Sequence, residues 1–101
     1  MRINWKVVTR DHVLKAIEKF NTENIKAPKA RSTFLLHEGQ SLPAKHIRGM
    51  AYEIATGIRL SKEDYTGGQE TVDFFDRLTF IVRHTPKSRN KITYKQRKTN
   101  N

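Results

Sequence analysis

The sequence predicts a small single α+β domain followed by a basic C-terminal arm. Two observations predict the fold class: apolar residues recur at helical spacing in several stretches, and a turn signal lies between two short β-prone runs. A third, an abrupt change of charge near residue 83, divides the chain into a globular part, 1–82, and a basic, flexible arm, 83–101. The expected order is helix, β-hairpin, helix, helix and strand, which is compatible with a winged-helix-like fold.

The first helix is predicted over residues 10–21. Thr9 precedes it as a suitable N-cap, and Asp11 places a negative charge in the first turn, where it favours the helix dipole. Four apolar residues fall on one face and are expected to point inward: Val13, Leu14, Ile17 and Phe20. Residues 21–30, which include Pro28, are predicted to form a loop.

A β-hairpin is predicted after this loop. Residues 32–36 are β-prone, Glu38-Gly39-Gln40 is a turn signal, and Ser41-Leu42 supplies a second short strand. Pro43 suits the first position of the next helix, and Gly57 suits its end. The apolar stripe of this second helix is predicted to contain Ile47, Met50, Ala51 and Ile54.

The third helix is predicted over residues 69–78, after the turn at Gly67-Gly68. Its inward-facing residues are expected to be Val72, Phe75 and Leu78. A closing strand is predicted over residues 79–82. Aromatic side chains supply much of the expected core volume, and four of them are assigned to it: Trp5, Phe34, Phe74 and Phe80.

The charge distribution is the strongest indication of function. Residues 83–101 carry seven Lys or Arg and no Asp or Glu, whereas residues 1–82 carry 13 basic and 10 acidic side chains. A cationic segment binds polyanions because it releases the counterions of a phosphate backbone. The sequence therefore predicts a nucleic-acid partner, DNA more than RNA.

The candidate nucleic-acid contacts are basic residues before the hairpin, on the second helix and along the arm. They are Lys29, Arg31, Lys45, Arg48, Arg83, Lys87, Arg89, Lys91, Lys95, Arg97 and Lys98. Lys45 and Arg48 lie three residues apart, away from the apolar stripe, and are predicted to face solvent as groove contacts. A plain solvated helix face explains these two residues equally well. Tyr94 is a candidate for stacking on a base.

No catalytic residue, metal or cofactor is predicted. The four histidines have no spacing typical of a helical zinc site, and cysteine is absent. Gly67-Gly68 precedes a helix but lacks the Lys-Ser or Lys-Thr of a phosphate-binding loop. Asp73 and Asp76 share a helix face that is expected to be solvated. We therefore expect a protein that is not an enzyme.

Several short motifs add to this interpretation. They are Leu42-Pro43-Ala44-Lys45, Gly49-Met50-Ala51-Tyr52-Glu53, Ala55-Thr56-Gly57, Tyr65-Thr66-Gly67-Gly68 and Leu78-Thr79-Phe80. Together they resemble the N-terminal head module of McrA-like and other HNH-type restriction endonucleases, over roughly residues 5–80. One departure is Thr79, where the family pattern usually has glycine; a second is that no HNH nuclease sequence follows. The resemblance implies DNA contact or partner recruitment in a restriction or defence system, without cleavage by this chain.

Two other interpretations remain open from the sequence. The chain is also suited to be a small inhibitor from a phage or mobile element that binds a host nuclease of the restriction or CRISPR type. Alternatively, it is an N-terminal domain excised from a longer restriction enzyme, with the arm as a linker. The N-terminus has no signal-peptide pattern and no apolar run is long enough to span a bilayer, so a cytoplasmic location and no membrane partner are expected.

Overall fold

The computed structural model describes residues 2–24 and 33–84, which form three helices and a three-stranded antiparallel sheet. A short 3-10 turn, Trp5–Val7, precedes the elements, which are α1 (Arg10–Thr22), β1 (Thr33–His37), β2 (Gln40–Pro43), α2 (Ala44–Thr56), α3 (Gln69–Arg77) and β3 (Ile81–His84). The sheet order is β2-β1-β3. The α+β class and the predicted order of elements are confirmed. Within these residues, no helix is long and apolar enough to cross a membrane.

Helix α1 begins with a capping box in which a histidine replaces the usual Glu or Gln. The Thr9 side chain accepts a bond from the His12 amide, and His12 Nδ1 accepts one from the Thr9 amide at 2.9 Å. The buried face contains Val13, Ala16 and Ile17. Leu14 is 37% exposed, so its inward assignment was wrong; the buried face lies on the Ala16 side of the helix.

The hairpin has a two-residue turn, Glu38-Gly39, whose φ values are 48° and 80°. Positive φ at both positions is typical of a type I′ turn, which matches the twist of the strands and favours glycine at its second position. Gln40, predicted in the turn, therefore begins β2. Its side-chain amide exchanges two hydrogen bonds with that of Asn21, at 2.8 and 3.0 Å, and these bonds connect the hairpin to α1.

Helix α2 begins at Ala44, one residue later than predicted, because Pro43 remains extended as the last residue of β2. Gly57 ends the helix as predicted, in the left-handed conformation at φ 80°. Met50 and Ile54, predicted in the apolar stripe, are only half-buried. The fully buried residues of α2 are Ala44, Ile47, Arg48, Gly49, Ala51 and Tyr52.

The connection between α2 and α3 runs over residues 57–68. A helix-turn-helix joins its helices with a turn of about three or four residues, so α2 and α3 do not form that motif. The broader winged-helix likeness stays a prediction. The connection contains a turn in which the Ser61 amide donates to the Asp64 carboxylate at 2.8 Å.

Helix α3 ends at Arg77, and its buried residues are Thr71, Phe74 and Phe75. Val72 and Leu78, predicted to point inward, are half-buried. The closing strand β3 begins at Ile81 rather than at residue 79, because Leu78 and Thr79 form the turn that leaves the helix. Phe74 and Phe80 belong to the core as predicted.

Thr79 has a φ of 65°, in the left-handed region that β-branched residues rarely adopt. Arg10 partly offsets the strain, because its guanidinium donates to the Thr79 carbonyl at 3.2 Å and to the Thr79 hydroxyl at 3.0 Å. Glycine carries no such strain.

We therefore expect Thr79→Gly to stabilise the domain by about 1 kcal/mol, since removal of left-handed strain outweighs the two exposed hydrogen bonds of the Thr79 hydroxyl, from Arg10 and to the Leu78 carbonyl. Gly57→Ala is the matched control, because it introduces a side chain at a positive φ of 80° and is expected to destabilise by about the same amount. Urea unfolding of both variants measures the two effects. A Thr79→Gly variant less stable than the wild type would show that the hydrogen bonds of the Thr79 hydroxyl outweigh the strain.

Candidate nucleic-acid interface

The basic residues are distributed unevenly along the chain. The described residues contain 11 Lys or Arg and all ten Asp and Glu, so their charges nearly cancel. The segments 25–32 and 85–101, here called the cationic segments, contain nine Lys or Arg and no acid. Nearly all of the net charge of +10 thus belongs to these two segments.

The cationic segments join the described domain at neighbouring points. Segment 25–32 precedes Thr33, segment 85–101 follows His84, and these two residues are register partners in the β1–β3 pair. The Thr33 hydroxyl and His84 Nδ1 also lie 2.9 Å apart. Partners in an antiparallel pair have Cα atoms about 5 Å apart. Two regions that are far apart in the sequence are therefore anchored side by side.

Most predicted contact residues lie outside the described residues. These are Lys29, Arg31, Lys87, Arg89, Lys91, Lys95, Arg97 and Lys98, together with Tyr94. The predicted contacts that the structure describes are Lys45, Arg48 and Arg83.

Arg83 lies on strand β3 rather than at the start of an arm. Its side chain is exposed, and its guanidinium lies 5.2 Å from the ring centre of Phe34, the residue opposite it on β1. Because side chains alternate across a strand, Phe34 and Arg83 project from the face of the sheet opposite the buried Leu35. The assignment of Phe34 to the core was therefore wrong, since the strand register turns its ring away from the helices.

This solvent-facing side of the sheet is small and has apolar and basic side chains; it is here called the outer sheet face. By register and alternation its members are Phe34, Leu36, Ser41, Pro43, Ile81 and Arg83. Ile81 is 69% exposed, and Phe34, Leu36 and Ile81 lie outside the hydrophobic core. None of the three strands contains Asp or Glu. This surface is therefore compatible with an anionic partner.

Lys45 lies in the first turn of α2 and is half-buried. Its ammonium donates to the Lys62 carbonyl at 2.5 Å and lies 5.0 Å from the centre of the Tyr65 ring. Lys45 thus holds the connection between α2 and α3 against the helix. A groove contact by Lys45 would have to compete with these bonds, and its role in binding stays a prediction.

Arg48 does not face solvent, so its placement on a solvated helix face was wrong. It is 1% exposed and lies four residues before Tyr52 and four after Ala44, both of which are buried. Its guanidinium carbon lies 3.7 Å from the ring centre of Trp5, with two further rings, those of Tyr65 and Phe74, at 5.5 and 5.3 Å. Arg48 therefore fills an aromatic cage inside the domain.

Hydrogen bonds also hold Arg48 in this cage. Its Nη1 donates to the Thr66 carbonyl at 3.1 Å, to the Thr71 hydroxyl at 3.0 Å and to Glu70 at 3.2 Å. Burial alone would raise the pKa of Glu70. The hydrogen bond and positive charge of Arg48, together with hydrogen bonds from Thr66, have the larger effect, so the pKa is lowered on balance. The carboxylate is therefore ionised at neutral pH, as an ion pair requires. Sequence reasoning missed this role because arginine is rarely buried unless it is paired.

Gly49, the neighbour of Arg48, allows this packing. A Cβ at position 49 would overlap the hydroxyl of Tyr65, which donates to the Lys45 carbonyl at 3.1 Å. The glycine thus permits Tyr65 to lie directly against α2.

A concave surface lies beside α2 and has a volume of about 580 Å³. It is lined by residues of α1 and its C-cap, of α2 and of the 57–68 connection, including Lys19, Glu23, His46, Glu53 and Arg59. Its charges are mixed, and Arg59 pairs with Glu53 at 3.4 Å. Burial lowers the pKa of His46, whose ring contacts Phe20 edge-on. Within residues 2–24 and 33–84, no three His, Asp or Glu side chains are grouped to hold a metal.

The model of a family described as "ScoMcrA-like, N-terminal head domain" matches residues 6–84, which include all three helices and all three strands. No curated protein and no solved structure matches this chain.

Proposed function

Because the chain belongs to the family of ScoMcrA-like N-terminal head domains, we propose that it is a non-enzymatic nucleic-acid-binding module of a restriction or defence system. Its preferred partner is DNA. The domain is the base from which the cationic segments extend, and its function is attachment rather than cleavage.

The main support for this proposal is the uneven distribution of charge between the cationic segments and the described domain. Nine Lys or Arg without a single acid belong to the two cationic segments, while the described domain nearly balances its own charges. Contacts between cations and phosphates account for most non-specific affinity for nucleic acids, because each one releases condensed counterions. The anchoring of both segments at Thr33 and His84 supports their action on one polyanion.

The proposed contacts have different roles. The basic residues of segment 85–101 hold phosphates, Lys29 and Arg31 add to them from segment 25–32, and Arg83 adds an exposed guanidinium at the end of the sheet. Lys45 is a secondary contact. Arg48 is excluded from the interface, because its guanidinium is enclosed by aromatic rings and hydrogen bonds.

A salt titration tests the proposal. Fluorescence anisotropy with a 20-base-pair duplex, a 20-nucleotide DNA strand and the matching RNA should show binding at 50 mM salt. With six to ten phosphate contacts, the affinity for the duplex is expected to fall by about three orders of magnitude or more at 200 mM. DNA is expected to bind more tightly than RNA. The absence of binding to all three probes at 50 mM salt would overturn the proposal.

The alternative of a nuclease inhibitor gains no support from the described residues or from the family match. This alternative predicts little affinity for nucleic acid in the anisotropy assay. In a separate cleavage assay, it predicts that adding the protein to a restriction or CRISPR nuclease stops that nuclease from cutting DNA.

A further inference from the structure

The outer sheet face has properties that phosphate binding alone does not require. The inner face of the sheet contributes Leu35 and Leu42 to the core, at 0% and 2% exposure. On the outer face, Phe34 is only half-buried and Ile81 is 69% exposed, and neither belongs to the core. Apolar side chains that do not stabilise the core are candidates for contact with a partner.

The chemistry of this face suits nucleobases. Phe34 and Arg83 are cross-strand neighbours, and the guanidinium lies 5.2 Å from the ring centre. Unpaired bases stack on aromatic rings and on the planes of arginine side chains, and this stacking tolerates any base. Pro43, opposite Phe34 on β2, and Ile81, opposite Leu36 on β3, extend the apolar surface to both sides.

The position of the face also favours a nucleic acid over a second copy of the chain. The β1–β3 register partners Thr33 and His84 lie at the same end of the sheet as Phe34 and Arg83, and the cationic segments join the domain there. A strand whose phosphates are held by these segments would have its bases within reach of the outer face. A second copy would bring a like charge of +10 and another Arg83 to a surface without acids.

We propose that the outer sheet face binds unpaired bases of a nucleic-acid strand, with a base stacked on Phe34 and Arg83. This inference rests on the proposed function and adds a second kind of contact to it. Phosphate contacts supply affinity that depends on salt, whereas the sheet distinguishes a strand with accessible bases from a bare backbone.

An abasic oligonucleotide separates the two kinds of contact, because it retains the phosphates and lacks the bases. In anisotropy titrations at 100 mM salt, the full-length protein should bind a mixed-sequence 20-nucleotide DNA strand about tenfold or more tightly than the abasic strand of equal length. Phe34→Ala should remove this preference and leave the affinity for the abasic strand unchanged.

Further variants keep the test independent of folding defects. Phe34→Leu retains apolar volume without a ring and should also lose the preference, whereas Phe34→Tyr should keep it. Ile58→Ala, which alters an apolar residue that is 42% exposed outside the sheet, should behave as the wild type. Arg83→Gln should reduce the preference more than Arg59→Gln, a matched change at a residue whose side chain is 82% exposed. Circular dichroism verifies that each variant is folded.

The outcomes distinguish the two proposals. Equal affinity for the normal and abasic strands, or a preference that survives both Phe34→Ala and Phe34→Leu, would overturn the role of the sheet and leave the proposed function intact. Absence of binding to both strands with binding to the duplex retained would overturn the role of the sheet alone. Absence of binding to the duplex and RNA probes as well, at 50 mM salt, would overturn the proposed function and the role of the sheet with it.

Discussion

Removal of residues 85–101 is expected to weaken binding to duplex DNA by at least about 100-fold at 100 mM salt. This segment contains six of the chain's 20 Lys and Arg, all without an acidic neighbour in the segment. Each phosphate contact contributes about 0.9 to the slope of log affinity against log salt concentration, so the slope should become shallower by about five if all six engage. Titrations at four salt concentrations measure both quantities.

Two matched double variants separate the contribution of segment 85–101, here called the arm, from a general effect of net charge on binding. Lys87→Gln with Arg89→Gln removes two charges from the arm, and Lys15→Gln with Arg59→Gln removes two exposed charges from the described domain, where they pair with Asp11 and Glu53. The arm pair should weaken binding about tenfold or more, and the domain pair by much less. Equal losses in the two pairs would show that attraction depends on total charge and that the arm is not the anchor.

The sequence was sufficient to predict elements whose signals are local. The α1 cap at Thr9, the Gly57 end of α2 and the turn at Glu38-Gly39 each depend on residues a few positions apart, and all are present in the structure. The adjacency of Thr33 and His84 depends instead on long-range strand pairing. The segregation of charge was therefore visible in the sequence, whereas the common anchoring point of the two cationic segments was not.

Phe34 and Arg48 both lie where their hydrophobicity does not predict them, because contacts that are distant in the sequence decide their positions. Hydrophobicity assigned Phe34 to the core and Arg48 to the surface, since charged side chains are rarely buried without a partner. The strand register turns Phe34 outward, while three aromatic rings and the acceptors on Thr66, Glu70 and Thr71 compensate the burial of Arg48. Such compensation comes from residues up to 43 positions away, Trp5 among them, so a helix pattern does not reveal it.

Replacement of Arg48 with alanine is expected to cost about 3 kcal/mol of the free energy of unfolding. The change leaves a cavity between Trp5, Tyr65 and Phe74, removes a desolvated cation–π contact and removes one of the two side-chain donors to the Thr66 carbonyl, which keeps the hydroxyl of Thr71. Two features limit the loss. Glu70 is 56% exposed and can regain water, and the buried Nε of Arg48 has no hydrogen-bond partner among the described residues. A domain of this size has about 5–15 kcal/mol in total, so the effect would be large.

Urea unfolding followed by tryptophan fluorescence measures this loss, because Trp5 lies against the guanidinium. Arg59→Ala is the matched control and should change stability by less than about 0.5 kcal/mol, since its side chain is 82% exposed and makes a single surface ion pair. Arg48→Met, which retains volume without charge, should fall between the two. If Arg48→Ala were as stable as the wild type but bound DNA more weakly, the residue would be a nucleic-acid contact after all, and the caged conformation would not be the one that functions.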